Sequence, residues 1–297
     1  MNINELLNEY DTVKKVGEGA FGEVFKIKQK KDGKVYAVKI EKNDINRLVF
    51  EKNIYKVLNQ KQNDYIPKLI NFKSNEKTAA MVIDYLGPSL SKLHEFCDKK
   101  FSLKTTLYIA IKSIRILEYI HNNGIIHRDI KPENFLIGNG KKYSKRLYLV
   151  DFGLSKKYIE NDKHIPFRSD KGFTGSYRYC SLRTHEGIES SRRDDLESLG
   201  NVLIYFILGK LPWQGVDGTK SKRSMNIHEK KKTAFIEDLC NTLPIEFFDY
   251  MKYCRLLRFN EKPDYDYLVK LFCKIFTKQN FDNDTKYDWE NKYDSIT

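Results

Sequence analysis

Long apolar runs are what this 297-residue sequence most lacks. The longest, Val202 to Leu208, has seven residues, where a membrane-spanning helix needs roughly 20. No membrane span is expected. The start, Met1 to Asp11, carries no basic stretch followed by an apolar one, so no secretory signal is expected either, and the cytoplasm or nucleus is implied. Cysteine is scarce and unpatterned: Cys97, Cys180, Cys240, Cys254 and Cys273 are odd in number and show no paired metal-ligand spacing. They read as reduced thiols, mostly packing residues. Internal repeats and low-complexity linkers are absent. Acidic residues are in deficit, 40 against 53 basic, for a formal charge of +13. That surplus attracts polyanions whatever the fold, without choosing among nucleic acid, anionic lipid, ATP and acidic or phosphorylated protein.

What is present fits a globular chain long enough to bury a substantial core. From Tyr10 to Ile40 short strand patterns alternate with turns: Val13 to Val16, a glycine cluster, Glu23 to Lys28, Asp32-Gly33, then Lys34 to Ile40. Asp-Gly between two such runs is a strong hairpin signal. Phe50, Ile54, Val57 and Leu58 recur at helical spacing, and Thr78 to Leu86 is a strand-like apolar run ended by Gly87-Pro88. Longer helical patterns follow, through Leu107, Ala110, Ile111, Ile114 and Leu117 and through Leu196, Leu199, Leu203, Ile204, Ile207 and Leu208. The expectation is a strand-rich part over 1–86, a mainly helical part over 87–280, a hinge near Asp84 to Pro88, and a short polar extension over 281–297.

Gly17-Glu18-Gly19-Ala20-Phe21-Gly22 is a G-x-G-x-x-G sequence, which tight turns and dinucleotide-binding folds share. The strand pattern Glu23 to Lys28 follows it where a dinucleotide fingerprint would open a helix, so the glycines cap a hairpin suited to covering phosphates. Tyr36-Ala37-Val38-Lys39 places one lysine in an otherwise apolar strand, and a buried ammonium needs a partner. Glu51, on the next helical pattern, is the candidate; taken singly, each fits better as an ordinary solvated residue. His127-Arg128-Asp129-Ile130-Lys131-Pro132-Glu133-Asn134 fixes five functional residue types within eight positions and resembles the catalytic loop of protein kinases. Asp151-Phe152-Gly153 follows the strand-like Leu147 to Val150, which puts a carboxylate at a strand end.

An Ala-Pro-Glu triplet, which closes the activation segment of most protein kinases, is missing, and Ser181-Leu182-Arg183 stands there instead. With His164-Ile165-Pro166-Phe167-Arg168, Gly175-Ser176-Tyr177-Arg178-Tyr179, Ser191 to Gly200, Leu211-Pro212-Trp213-Gln214-Gly215, Leu86 to Leu90 and Lys262-Pro263-Asp264-Tyr265, this closely resembles the casein kinase 1 family over residues 10 to 280. The chain departs from that family with Ala20 for serine, Ile83 for methionine, and Ser181-Leu182-Arg183 for Ser-Ile-Asn. Tyr177 also replaces a small residue beside Arg178.

The resemblance implies an α+β, bilobal protein-kinase fold and a monomeric serine/threonine kinase. It would carry the γ-phosphate of ATP, with Mg2+, to proteins bearing acidic or phosphorylated residues before the target. It assigns the proton acceptor to Asp129, phosphoryl steadying to Lys131, phosphate positioning to Lys39 with Glu51, and metal binding to Asn134 and Asp151. It lines the ATP site with Val16, Gly17, Glu18, Gly19, Ala20, Phe21, Gly22, Glu23, Val24, Ile83, Asp84, Leu86 and Leu136. Arg178 with Lys222 or Arg223 would take a substrate phosphate, and Arg128, Lys156 and Lys171 a second anion. Asp195 would anchor the catalytic loop or cap its helix, and His127 would be packed scaffold. Two other functions compete: a catalytically dead scaffold, which the complete set of phosphoryl-transfer residues disfavours, and a nucleic-acid binder. The basic stretches Lys141 to Arg146, Lys220 to Arg223 and Lys230 to Lys232 suggest the latter, but no nucleic-acid-reading motif accompanies them.

Overall fold

Three strand patterns near the start become consecutive strands. They are β1 (Tyr10–Gly19), β2 (Gly22–Gln29) and β3 (Val35–Lys42). The β2–β3 turn closes on Gly33, whose φ of 72° is the left-handed value that favours glycine in such turns. With β4 (Leu69–Ser74) and β5 (Thr78–Asp84) they form an antiparallel sheet in the order β1-β2-β3-β5-β4. Alternation along β3 sends Val38 and Ile40 into a core with Tyr10, Ile27, Ala80 and Val82, and so leaves Lys39 on the opposite face. In this computed structural model residues 8–19, 22–140, 144–215, 219–282, 284 and 286–294 are described.

Helix α1 (Asn46–Leu58) buries Leu48, Glu51, Ile54, Tyr55 and Leu58. Phe50, expected on its inner face, is 37% exposed. The apolar periodicity misplaced the stripe because a charged residue, Glu51, occupies the centre of the buried face.

Contacts divide the chain into two compact units, Met1–Pro88 with Leu136–Ser155, and Ser89–Phe135 with Lys156–Thr297. The expected division after residue 86 covers only the first of three crossings. Backbone bonds from Gly87 N to Ile137 O and from Ile137 N to Pro88 O, with Leu149 N to Tyr65 O, tie the returning segment into the first unit.

The second unit is helical, as expected. Its helices are α2 (Leu90–Phe96), α3 (Leu103–Asn122), α4 (Leu182–His185), α5 (Arg192–Leu208), α6 (Lys220–Thr233), α7 (Ile236–Cys240), α8 (Ile245–Leu256), α9 (Tyr265–Lys278) and α10 (Asp288–Asp294). Helix α5 is buried on nearly every face and packs against α3 and α8. Ser191 and Asp194 form its capping box, and Gly209 ends it with a φ of 75°.

The polar extension expected over 281–297 needs correcting. Tyr287 and Trp289 are buried and stacked, Trp289 packs on Phe101, and Asp288 accepts from Ser102 N and Oγ at the start of α3. Two aromatic rings turn a stretch polar by composition into part of the core. Among the described residues no helix is long and apolar enough to cross a membrane.

Candidate functional site

In the first unit, the glycine cluster lies at the β1–β2 connection. Gly17 pairs with Val24, Glu18 with Glu23, and Gly19 with Gly22, while Ala20 and Phe21 lie outside the described residues. A side chain on Gly22 would place its Cβ 2.3 Å from Ile40 O, at a φ of 146°. Only glycine lets the hairpin lie that close to β3. Val16 and Val24 are half-buried beside it, and Lys15 binds Glu18 and Glu23 on the exposed side. Ile83, Asp84, Leu86 and Leu136 are half-buried as well, and the backbone bonds at Gly87 and Pro88 bring 86 and 136 to one place. The Asp84 carboxylate accepts from Lys68 N.

Lys39 Nζ lies 2.7 Å from Glu51 Oε2 and 2.8 Å from Asp151 Oδ1. Burial works against the ammonium, but the two carboxylates outweigh it and hold the lysine charged above its ordinary range. The other Glu51 oxygen accepts from Phe152 N at 3.1 Å, and the Phe152 ring packs edge-on against Tyr55. One carboxylate of α1 thus fixes both the strand lysine and the residue after Asp151. Asp151 has a φ of 67°, an uncommon value for a residue with a side chain. Its side chain stays one-third exposed.

In the second unit, Asp129 is 5% exposed. Its Oδ2 accepts from Lys131 Nζ at 2.5 Å and its Oδ1 from Ser176 Oγ at 2.7 Å. Its carbonyl takes the Asn134 side-chain amide at 2.8 Å, and its own N–H donates to His127 Nδ1. Gly175, with a φ of 100°, passes so close to Arg128 O that an added Cβ would stand 2.4 Å from it. Asp195 receives the backbone N–H groups of His127 and Arg128 at 2.7 and 2.8 Å and bonds His121 Nε2 at 3.0 Å. Burial disfavours its charge, but these bonds outweigh that and keep its pKa below the usual carboxylate range. Asp195 therefore anchors the loop; the helix cap falls to Ser191 instead. His127 is fully buried.

The basic residues behave differently from one another. Lys156 and Lys171 approach buried Glu189 at 2.8 and 3.9 Å, so this cationic group already holds an anion of its own chain. Burial lowers the pKa of Arg128 there, against the pull of Glu189 and Asp195. Arg178 is exposed, with its guanidinium carbon 5.6 and 6.0 Å from the Tyr179 and Tyr205 ring centres. Lys222 and Arg223 are exposed on α6, and no bond among the described residues links them to Arg178. Sequence reasoning assigned no role to Ser176, Glu189 or Lys231. Ser176 stood inside a quoted motif, whereas Glu189 and Lys231 gave no signal distinguishing them from surface charges.

A family model described as protein kinase domain matches residues 10–279, a span that takes in the glycine hairpin, Lys39, Glu51, the Asp129 loop and Asp151. The chain belongs to the protein kinase family, and is thereby a phosphotransferase that uses ATP and a divalent metal to act on proteins.

Proposed function

We propose that the chain is a serine/threonine kinase of the casein kinase 1 type, acting on hydroxyls preceded by acidic or already phosphorylated residues. The observation that carries this is the Asp129 carboxylate, held by Lys131 on one oxygen and Ser176 on the other. Asp129 takes the proton of the acceptor hydroxyl as its oxygen attacks the γ-phosphorus; the bond to the β–γ bridging oxygen breaks and ADP leaves. Lys131 offsets charge on the transferring phosphoryl group, and a lysine at this place is the serine/threonine form of the loop. Lys39, kept charged by Glu51, orients the α- and β-phosphates.

Asp151 and Asn134 would each offer magnesium a hard oxygen donor of the kind it takes together with phosphates. When bound, the metal neutralises phosphate charge. The Asn134 amide nitrogen is already committed to Asp129 O, which leaves its oxygen for a cation.

Arg178 reads the substrate phosphate. It is exposed, and arginine meets phosphate with two parallel hydrogen bonds. The Arg128, Lys156 and Lys171 group is the weaker candidate, because an incoming anion competes with Glu189. Where an Ala-Pro-Glu triplet would stand, Ser181 Oγ donates to Asp194 at 2.6 Å, so this segment is anchored without one; Arg183, which departs from the subfamily pattern, adds a bond to Arg255 O at 2.6 Å.

The test compares kcat/KM on a phosphoserine-x-x-serine peptide and its unphosphorylated twin. Arg178→Ala should lower the primed value about tenfold or more. A mutant that keeps the wild-type ratio between the peptides removes Arg178 from phosphate reading. Equal labelling of tyrosine peptides by the wild type would sink the serine/threonine assignment.

A further inference from the structure

Lys230, Lys231 and Lys232 are three consecutive lysines at the end of α6. The outer two are exposed, while Lys231 is 2% exposed. Its ammonium donates to Tyr177 O and Cys180 O, each at 2.7 Å, and meets Cys180 Sγ at 3.3 Å, so all three donors are used on one short stretch of chain. The Trp213 ring centre lies 5.3 Å away. Among the described residues Lys231 has no ion pair. Burying a charge without a carboxylate is far more costly than burying an aliphatic chain of the same length.

The stretch it holds is the turn 176–180, closed by bonds from Tyr179 N and Cys180 N to Ser176 O. Four successive carbonyls of this turn each accept from a side chain. Lys231 takes 177 and 180, Trp213 Nε1 takes 178 at 2.7 Å, and Asn201 takes 179 at 3.0 Å. Carbonyls aligned in this way carry partial negative charge, which a cation satisfies better than a neutral donor. The turn begins with the Ser176 hydroxyl on Asp129 and displays Arg178 to solvent.

We infer that Lys231 is a positioning residue for the protein substrate: its buried ammonium fixes the turn that presents Arg178 beside Asp129. The inference rests on the substrate reading proposed above. Lys231 touches neither nucleotide nor acceptor and acts through the carbonyls of 177 and 180. Burial lowers its pKa, with Cys180 and Glu197 opposing that and Arg255 reinforcing it.

The experiment is steady-state kinetics of Lys231→Met, with the thermal midpoint measured alongside. Methionine keeps the length of the side chain and removes the charge. The expected result is a thermal midpoint equal to or above wild type, an unchanged KM for ATP, and a fall of about tenfold in kcat/KM for the primed peptide. Most of that fall should lie in the peptide KM, because Ser176 keeps its own bond to Asp129. A merely structural role would lower the midpoint and leave the peptide KM of the folded enzyme alone. Should Lys231→Met fail to fold, Lys231→Gln, which retains neutral donors, carries the same expectation. Wild-type peptide KM in the folded variant overturns the inference. Failure of the wild type to modify serine peptides at all overturns the substrate reading instead, and the two failures are told apart by which enzyme shows them.

Discussion

A lysine placed between two carboxylates, one of them buried, ties its own charge to theirs. Glu51 is 1% exposed, and burial pushes its pKa up while Lys39 pulls it down. Lys39→Met removes that pull and leaves Glu51 facing Asp151. Such a broken pair costs about 3 to 5 kcal/mol when the remaining charge stays buried, and less when it can take up a proton. The sign follows from linkage. With its folded pKa raised above the unfolded value, Glu51 in the variant binds more protons folded than unfolded, so stability falls as pH rises. Lys39→Met should therefore lose phosphoryl transfer and show a destabilisation that grows between about pH 6 and pH 8, read from urea midpoints. A pH-independent destabilisation would mean that Glu51 is not the residue left behind. The pair itself was legible in the sequence, since a lysine in an apolar strand demands a partner and Glu51 was the nearest candidate on a helix. The third member, Asp151, is 112 positions from Lys39, and no local pattern pairs them.

Helices α4 and α6 meet through two imidazoles. His185 stacks on His228 with ring centres 5.1 Å apart, and its Nε2 bonds Ser224 Oγ at 3.2 Å. Burial, then Lys231, then His228, push the His185 pKa down to about 4 from 6.5. Between those values the unfolded chain holds a proton that the folded chain does not, so this contact loses stability as pH falls through that window. Asp194 works in the opposite sense, since burial lifts it to about 6. The informative quantity is thus the difference between proteins: His185→Gln should flatten the loss of stability from pH 6.5 to 4.5 relative to wild type, in chemical denaturation. An unchanged slope would show that His185 does not titrate in that window. Elements were legible where a period and a punctuation mark agreed, as in the β2–β3 hairpin with Asp32-Gly33 or the long apolar rows of α3 and α5. They were misjudged where one polar residue turned a face, as Glu51 does in α1, or where two aromatic rings decided the fate of a polar stretch, as Tyr287 and Trp289 do. Lys231 was hidden for a related reason: three lysines in a row read as one solvated face, although a helix shows them to three directions.

The whole chain carries a formal charge of +13. Attraction of acidic or primed peptides should therefore have a long-range part that salt screens within a Debye length of about 8 to 10 Å. Peptide KM should rise several-fold between about 50 and 300 mM salt while KM for ATP changes less. Any DNA or RNA binding should weaken steeply over the same range with no preference for sequence. A sequence-specific footprint that survived salt would revive the nucleic-acid reading. The order in which the units are made carries a different consequence. Residues 136–155 belong to the first unit, so that unit is unfinished when residue 88 has been made. A growing chain must first make residues 89–135, which takes about 2 to 9 seconds at ordinary rates, before Ile137, which bonds Gly87 and Pro88, exists. During that interval the five-stranded sheet, whose last strand ends at Asp84, can already form, but Lys39 faces Glu51 without Asp151.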